Sequence, residues 1–283
     1  MARGIKFQGS PLTLVGRALQ EGAIGPDFRV VSNDLKETKL SDFRDKIKVI
    51  GSFPSLDTPV CDLQVKEFNK KASGFSSDIV VLGISKDLPF AQKRFCSINE
   101  IKNEVLLSDY KYSSFGINYG LLVKELNLLA RAAIVLDKND ILRYMQVVDE
   151  LTGTINYEDV LKNLEEIIKN PALPAKEGLP PKCKPCEGGV ASMPKEKIDK
   201  LIAQYRGWEA VEDKKIVKEF KFKDFIEAKY FLDLISVIAE DQGHHPALTL
   251  IYNKLKVTLT THAAGGLTEN DFIMARIIDE LGG

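Results

Sequence analysis

Short apolar runs alternate with amphipathic segments through residues 27–169 of the chain. Residues 47–53 (IKVIGSF), 78–84 (DIVVLGI) and 104–107 are apolar stretches of strand length. Residues 61–73, 88–96 and 156–169 have helical spacing, and the first of these segments places its apolar residues at Leu63, Val65 and Phe68. This alternation predicts an α/β domain whose sheet is covered on both faces.

Two hairpins complete this predicted domain. Residues 131–137 and 141–148 are strand-like and are joined around Lys138-Asn139-Asp140, which favours a tight turn. Residues 5–15 predict an additional hairpin at the start of the chain, with its turn at Gly9-Ser10. We therefore assign residues 1–169 to one domain.

The pattern changes at residues 170–189 (NPALPAKEGLPPKCKPCEGG), where proline and glycine are too frequent for a helix or a sheet. We assign residues 170–182 to a linker and residues 183–283 to a second domain. Three segments have helical spacing, at 195–205, at 224–240 and after Thr268. Two strand pairs separate them: 208–211 with 214–221, and 248–252 with 256–261. Asp271 lies in capping-box position relative to Thr268. This order predicts an α+β domain with a four-stranded antiparallel sheet and helices on one face.

Composition limits the classes of function. The 283 residues are enough for two domains, and a formal net charge of −1 gives no indication of nucleic acid or an anionic membrane as partner. No apolar run reaches the roughly 18 residues that cross a bilayer. Because residues 1–8 have basic residues without an apolar run after them, we expect no secretory signal. We expect a cytoplasmic, reducing compartment, in which the four cysteines indicate catalysis, redox exchange or metal binding.

The first of these cysteines, Cys61, follows a predicted buried strand in the sequence FPSLDTPVC. Thr58 is a good helix N-cap and Pro59 suits the first helical position, so Cys61 falls in the first helical turn. Backbone N–H groups and the helix dipole favour a thiolate there, and the thiolate is the nucleophilic form. A buried thiol that only packs between strand and helix is the alternative.

Pro54, Thr58 and Cys61 form the Pro-x-x-x-Thr-x-x-Cys pattern of peroxiredoxins. Together with residues 88–96 (LPFAQKRFC) and 128–137 (LLARAAIVLD), the region resembles the bacterial thiol peroxidases, which are atypical two-cysteine peroxiredoxins with a thioredoxin-like fold. The resemblance implies that Cys61 is the peroxidatic cysteine and Cys96 the resolving cysteine. It further implies that Thr58 and Pro54 shape the pocket, that Arg131 stabilises the thiolate and transition state, and that a thioredoxin-like dithiol restores both cysteines. Cys61 and Cys96 lie on different predicted helices, so we expect both segments to unfold locally before the disulfide closes.

The three histidines of the chain, His244, His245 and His262, all lie in the second domain. The first two follow the long helix at a Gly-to-Pro break, and the third ends the last strand. If these elements are adjacent, the imidazoles converge and suit acid–base chemistry near neutral pH. Capping or surface histidines, or a zinc site, are the alternatives at this point.

The spacing Glu240-x₃-His244-His245-Pro246-x₅-Tyr252-x₉-His262-x₈-Asp271 resembles the pterin-4a-carbinolamine dehydratases, as do Gly207-Trp208 and residues 220–225 (FKFKDF). The resemblance implies dehydration of a 4a-hydroxytetrahydropterin without metal or redox cofactor. His244 and His262 would transfer protons and His245 would bind the pterin. Glu240 and Asp271 would contact the substrate site or orient the imidazoles, and Trp208 would pack near the pterin ring unless it is a core residue.

Cys183 and Cys186 form a C-x-x-C pair that neither site uses. The pair could relay electrons to the first domain or provide half of a metal site, but we favour a structural part of the dehydratase lead-in. The expected protein is a homo-oligomeric bifunctional enzyme in which the peroxidase removes peroxide that pterin chemistry releases. The alternatives are a peroxide sensor or thiol–disulfide oxidoreductase in the first domain and a non-catalytic oligomerisation or regulatory module in the second.

Overall fold

The computed structural model describes residues 3–174, 182–184 and 191–281. The chain divides into two compact units, Met1–Glu177 and Gly178–Gly283, each with its own sheet and core. Residues 175–181, which are more than half of the predicted linker, lie outside the described residues. The boundaries at residues 169 and 183 therefore stay predictions.

The first unit contains a large central sheet and a small second sheet. Its elements, in chain order, are β1 (Arg3–Phe7), β2 (Ser10–Val15), β3 (Arg29–Ser32), β4 (Glu37–Lys39), β5 (Ile47–Ser52), α1 (Pro59–Ala72), β6 (Ile79–Ser85), α2 (Pro89–Ile98), β7 (Val105–Ser108), α3 (Ser114–Asn118), β8 (Leu122–Val123), β9 (Leu128–Leu129), β10 (Ala132–Leu136), β11 (Leu142–Val147) and α4 (Tyr157–Lys169). The central sheet has the order β11-β10-β5-β6-β7-β3-β4, and the small sheet has the order β1-β2-β8-β9.

The central sheet is buried on both faces. β5, β6 and β7 are parallel, and the other neighbours in this sheet pair antiparallel. On β5, Ile50 packs into one buried cluster and its neighbour Val49 into another, and β10 divides in the same way at Ile134 and Val135. Because successive strand residues point to opposite faces, both sides of the sheet are covered. The α/β fold predicted from the alternation of strands and helices is thus confirmed.

The second unit is an antiparallel sheet with helices packed on one face. It contains α5 (Lys195–Ile202), β12 (Glu209–Val211), β13 (Lys215–Lys221), α6 (Phe225–Gln242), β14 (Ala247–Ile251), β15 (Lys254–Leu259) and α7 (Glu269–Glu280). The sheet order is β12-β13-β15-β14. On β15, Leu255 and Val257 are buried whereas Lys254 and Lys256 are exposed, so one face forms the core and the other meets solvent. The predicted four-stranded α+β domain is confirmed.

Several short elements of the first unit were not apparent from the sequence pattern. β8 and β9 have two residues each and β4 has three, which are too few positions to display an alternation. Every residue of α3 is buried, so this helix has no solvent-exposed face to produce a helical alternation of apolar and polar residues. In α1 the expected apolar face was partly wrong. Leu63 is 58% exposed, and Gln64 takes the buried position instead.

None of the helices in the described ranges combines the length and apolarity that a membrane span requires.

Two candidate active sites

The sulfur of Cys61 lies at the first turn of α1, as the sequence predicts. Thr58 is the N-cap of this helix and Pro59 occupies its first position. The Thr58 hydroxyl accepts a hydrogen bond from the Cys61 N–H at 3.3 Å and lies 2.7 Å from the Cys61 Sγ, to which it can donate. The Cys61 side chain is completely buried, so a substrate must reach the sulfur through a closely packed environment.

Arg131, which directly precedes β10, approaches the same sulfur. Its Nη2 lies 3.2 Å from the Cys61 Sγ, and the residue is 2% exposed. A guanidinium group held against a sulfur in a buried site stabilises negative charge on that sulfur, because water screens the interaction little. The structure therefore brings Thr58, Cys61 and Arg131 together. The sequence pattern alone did not single out Arg131, which came from the resemblance.

Two further groups hold the guanidinium in place. Arg131 Nη1 donates to Gln64 Oε1 at 2.7 Å, and Nη2 donates to the Leu151 carbonyl at 3.3 Å. Gln64 is itself held because its Nε2 donates to the Ser52 carbonyl at 3.2 Å. Gln64 lies one helical turn after Cys61, and a polar residue on the buried face of a helix is the signal that could have identified it.

The Leu151 carbonyl is part of a contact with the amino-terminal hairpin. The Leu151 N–H donates to the Lys6 carbonyl at 2.8 Å, and the Lys6 N–H donates to the Asp149 carbonyl at 2.7 Å. At the hairpin turn, the Gln8 N–H donates to Glu150 Oε1 at 2.9 Å. The hairpin formed by β1 and β2 thus fixes the loop that positions Arg131.

Pro54 is buried in the loop between β5 and α1. This loop is held by Asp87, a residue that sequence reasoning missed. Asp87 Oδ1 accepts from the Ser55 hydroxyl at 2.7 Å, and Oδ2 accepts from the Leu56 N–H at 2.8 Å. Two hydrogen bonds to one carboxylate restrict the segment that leads into Thr58.

Cys96 lies on α2 as a half-buried thiol. It packs against the apolar cluster that contains Cys61, and both cysteines are free. Burial raises the pKa of the Cys96 thiol, the Asn33 side chain at 3.8 Å lowers it, and the charge of Glu104 raises it further. The two cysteines occupy separate helices, α1 and α2, as expected, and the local unfolding that would join them stays a prediction.

Glu104 is a buried carboxyl group near this cluster. It is 6% exposed, and neither carboxyl oxygen has a hydrogen-bond partner among the described residues. Burial raises its pKa well above the ordinary value of 4.5. Gly83 makes room for the group, because a Cβ at Gly83 would lie 2.4 Å from Glu104 Oε1. On the adjacent strand its partner Gly51 makes room for Gln64 in the same way.

In the second unit, a buried carboxylate connects the histidine segments. His244 Nε2 lies 2.8 Å from Asp271 Oδ1, while the Thr261 hydroxyl and the Thr268 N–H donate to Asp271 Oδ2, each at 2.8 Å. Asp271 is fully buried and His244 is 7% exposed. Since His262 directly follows Thr261, one carboxylate joins the segments that carry His244 and His262. Thr268 is the N-cap of α7, as predicted.

The remaining predicted residues of this unit have different surroundings. His245 forms an exposed pair with Glu240, with His245 Nε2 lying 3.1 Å from Glu240 Oε2, and His262 is exposed. Trp208 is 4% exposed, and its Nε1 donates to both carboxylate oxygens of Asp279. These are contacts of a core residue, and a role for Trp208 in pterin binding stays a prediction.

The second cysteine pair is described only in part. Cys183 is buried, whereas Cys186 lies outside the described residues. Among the residues that the structure does describe, no three His, Cys, Asp or Glu side chains are grouped as metal ligands would be.

Comparison with known proteins accounts for both units. The Redoxin family model matches residues 20–161, and the Pterin 4 alpha carbinolamine dehydratase family model matches residues 191–281. The thiol peroxidase of Staphylococcus haemolyticus is 45% identical over 163 residues, which are 58% of this chain and 98% of that protein. The thiol peroxidase of Bacillus subtilis is 43% identical over 165 residues, with the same coverage.

Among solved structures, a peroxiredoxin-like protein from Aquifex aeolicus is 39% identical with a TM-score of 0.55. The match covers 59% of this chain and 98% of that one. This likeness confirms a thioredoxin-like, peroxiredoxin fold for the first unit. The chain therefore belongs to the redoxin family, as a fusion of a thiol peroxidase of the peroxiredoxin type with a pterin-4a-carbinolamine dehydratase domain.

Proposed function

We propose that Cys61 is the peroxidatic cysteine of this enzyme and Cys96 the resolving cysteine. The observation that carries the proposal is the contact of both Thr58 Oγ1, at 2.7 Å, and Arg131 Nη2, at 3.2 Å, with the Cys61 Sγ. The thiolate attacks one oxygen of a hydroperoxide and the O–O bond breaks. The sulfur is oxidised to a sulfenic acid, and the other oxygen leaves as water or an alcohol after it gains a proton. Arg131 and Thr58 stabilise the charge that develops on the two oxygens.

The second step forms a disulfide. The Cys96 sulfur attacks the Cys61 sulfenic acid, the S–O bond breaks, and hydroxide leaves as water with the proton of the Cys96 thiol. A dithiol reductant of the thioredoxin type then reduces the disulfide and is itself oxidised. The substrates are hydrogen peroxide and organic hydroperoxides, in a reducing, cytoplasmic compartment, and the active form is a homo-oligomer.

The peroxidase proposal is tested by coupling peroxide reduction to thioredoxin and its reductase. We expect Cys61→Ser to abolish turnover. Cys96→Ser should still consume one equivalent of peroxide per Cys61 but should not turn over with thioredoxin. Steady thioredoxin-dependent turnover by Cys61→Ser would contradict the assignment, and a single-turnover wild type would favour a sensor.

For the second unit, we propose dehydration of a 4a-hydroxytetrahydropterin. One of His244 and His262 protonates the departing 4a-hydroxyl and the other removes the N5 proton, so that water leaves and a C4a–N5 double bond forms. The hydrogen bond that Asp271 Oδ1 accepts from His244 Nε2 supports His244 in this role, because a buried carboxylate fixes the orientation of the imidazole. His245 and Glu240, which are exposed, bind the pterin.

The dehydratase proposal is tested with 4a-hydroxytetrahydropterin generated in situ and detection of quinonoid dihydropterin. We expect His244→Ala and His262→Ala each to lower kcat by about 10²-fold, the usual size of a general acid–base contribution. His245→Ala should mainly raise KM. Full dehydratase activity in His244→Ala would contradict the role proposed for His244, whereas a wild-type protein without dehydratase activity would favour a non-catalytic module.

A further inference from the structure

The described segment around Cys183 is attached to the second unit by hydrogen bonds from its backbone. The Cys183 N–H donates to Gln242 Oε1 at 2.9 Å, and its thiol lies 3.6 Å from the Asn270 carbonyl oxygen. Cys183 and Gln242 are 6% and 7% exposed. The segment is therefore packed into the domain at this point, although it precedes the first helix.

Asn270 binds the next peptide group in a reciprocal way. The Lys184 N–H donates to Asn270 Oδ1 at 2.9 Å, and Asn270 Nδ2 donates to the Lys184 carbonyl at 2.7 Å. The amide side chain thus satisfies both polar groups of one residue, as a neighbouring strand would. Asn270 is 5% exposed, so these hydrogen bonds compete little with water.

The two residues that hold this segment are adjacent to the residues of the proposed proton-transfer pair. Gln242 is the last residue of α6, and only Gly243, which ends the helix with φ of +63°, separates it from His244. Asn270 directly precedes Asp271 in the first turn of α7. The backbone of Cys183 and Lys184 therefore connects the end of α6 to the start of α7, where His244 and Asp271 meet at 2.8 Å.

We propose that the Cys183–Lys184 backbone is a positioning clamp that fixes His244 against Asp271 for the dehydratase reaction. The proposal rests on the proposed role of His244. The clamp sets the separation of two helix ends that have no covalent link nearby, and a small displacement of a proton-transfer group slows chemistry more than it weakens substrate binding. The proposal also gives the first cysteine of the C-x-x-C pair a structural role through its backbone.

The sharpest test removes single N–H donors without changing any helix residue. Lys184→Pro removes the N–H that Asn270 Oδ1 accepts, and Lys184→Ala is the matched control that keeps it. Cys183→Pro and Cys183→Ala form a second pair for the bond to Gln242. In the full chain we expect each proline variant to lower dehydratase kcat about tenfold with KM within about twofold, because a lost positioning contact affects the transition state selectively. The alanine variants should keep their kcat, and all four should keep the peroxidase activity.

Three other results would count against the clamp or against the role of His244. If the proline variants keep the wild-type kcat and only melt at a lower temperature, the segment merely stabilises the domain and the clamp is refuted. If a proline variant fails to fold by Trp208 fluorescence, Asn270→Ala tests the same contact from the helix side, and unchanged kcat there also refutes it. If His244→Ala keeps full turnover, the proposed role of His244 fails independently of the clamp.

Discussion

Glu104 makes the stability of the peroxidase domain fall as the pH rises above about 4.5. Its carboxyl group is buried and has no hydrogen-bond partner among the described residues, and burial raises its pKa well above 4.5. In the unfolded chain the same group titrates near its ordinary pKa of 4.5. Above that pH the unfolded state releases a proton that the folded state retains. Stability is therefore greatest below the unfolded pKa and falls as the pH rises, until the folded pKa is passed.

The size of the pH dependence follows from the single proton that folded Glu104 retains and the unfolded chain releases. Within the window between the two pKa values, the free energy of unfolding falls by about 1.4 kcal/mol per pH unit. For a domain of this size, that corresponds to a loss of about 3–5 °C in Tm per pH unit. Glu104→Gln keeps the shape of the side chain and removes the ionisation. The difference in Tm between this variant and the wild type should therefore widen by this amount as the pH increases.

The assay is thermal unfolding of the full chain by calorimetry at a series of pH values above 4.5. Glu165→Gln is a matched control, because it neutralises an exposed glutamate in the middle of α4. The only tryptophan, Trp208, belongs to the second unit. Its fluorescence therefore identifies the unfolding of that unit and distinguishes it from the unfolding of the first unit, which contains Glu104. A constant difference in Tm between wild type and Glu104→Gln at all pH values would refute the reasoning, since Glu104 would then carry the same charge in both states.

Three further predictions address the two sites. Thr58→Val should lower peroxidase kcat/KM by about 10²-fold, as loss of one charge-stabilising donor does, whereas Thr58→Ser keeps the hydroxyl and most of the activity in the thioredoxin-coupled assay. Gln64→Leu should lower peroxidase kcat/KM about tenfold, because Arg131 loses the partner of its Nη1, and an unchanged rate would show that the Leu151 carbonyl suffices. Asp271→Asn should reduce dehydratase kcat about 10²-fold with a smaller change in KM, because the amide replaces the carboxylate that orients His244; a raised KM with unchanged kcat would argue for a substrate-binding role instead.

The sequence predicted the geometry of the candidate sites where that geometry depends on neighbouring residues. Thr58, Pro59 and Cys61 lie within one helix start, and capping preferences are enough to place the sulfur in the first turn. The capping role of Asp271 relative to Thr268 is local in the same sense. The other carboxylate oxygen of Asp271 makes a long-range contact, because its partner His244 lies 27 positions away in the sequence.

Contacts between distant elements could not be derived from periodicity. Gln64 and Glu104 were missed because a polar residue in a helix or at a strand start is normally exposed. Here Gly51 makes room for Gln64 and its strand partner Gly83 makes room for Glu104. The residues next to Gln64 and Glu104 in the sequence give no indication of that space. Arg131 was identified from resemblance for the same reason, since its three partners come from α1 and the loop that contains Leu151.

The attachment of the amino-terminal hairpin to the loop at residues 149–151 has a consequence for the order of assembly during synthesis. The residues joined by the Gln8–Glu150 hydrogen bond are 142 positions apart, so a ribosome releases the hairpin long before its partner loop exists. Contacts of such large sequence separation form late in folding. A nascent chain therefore cannot hold Arg131 against the Leu151 carbonyl until nearly the whole peroxidase domain has emerged, and an incomplete domain carries its Cys61 without the fixed guanidinium.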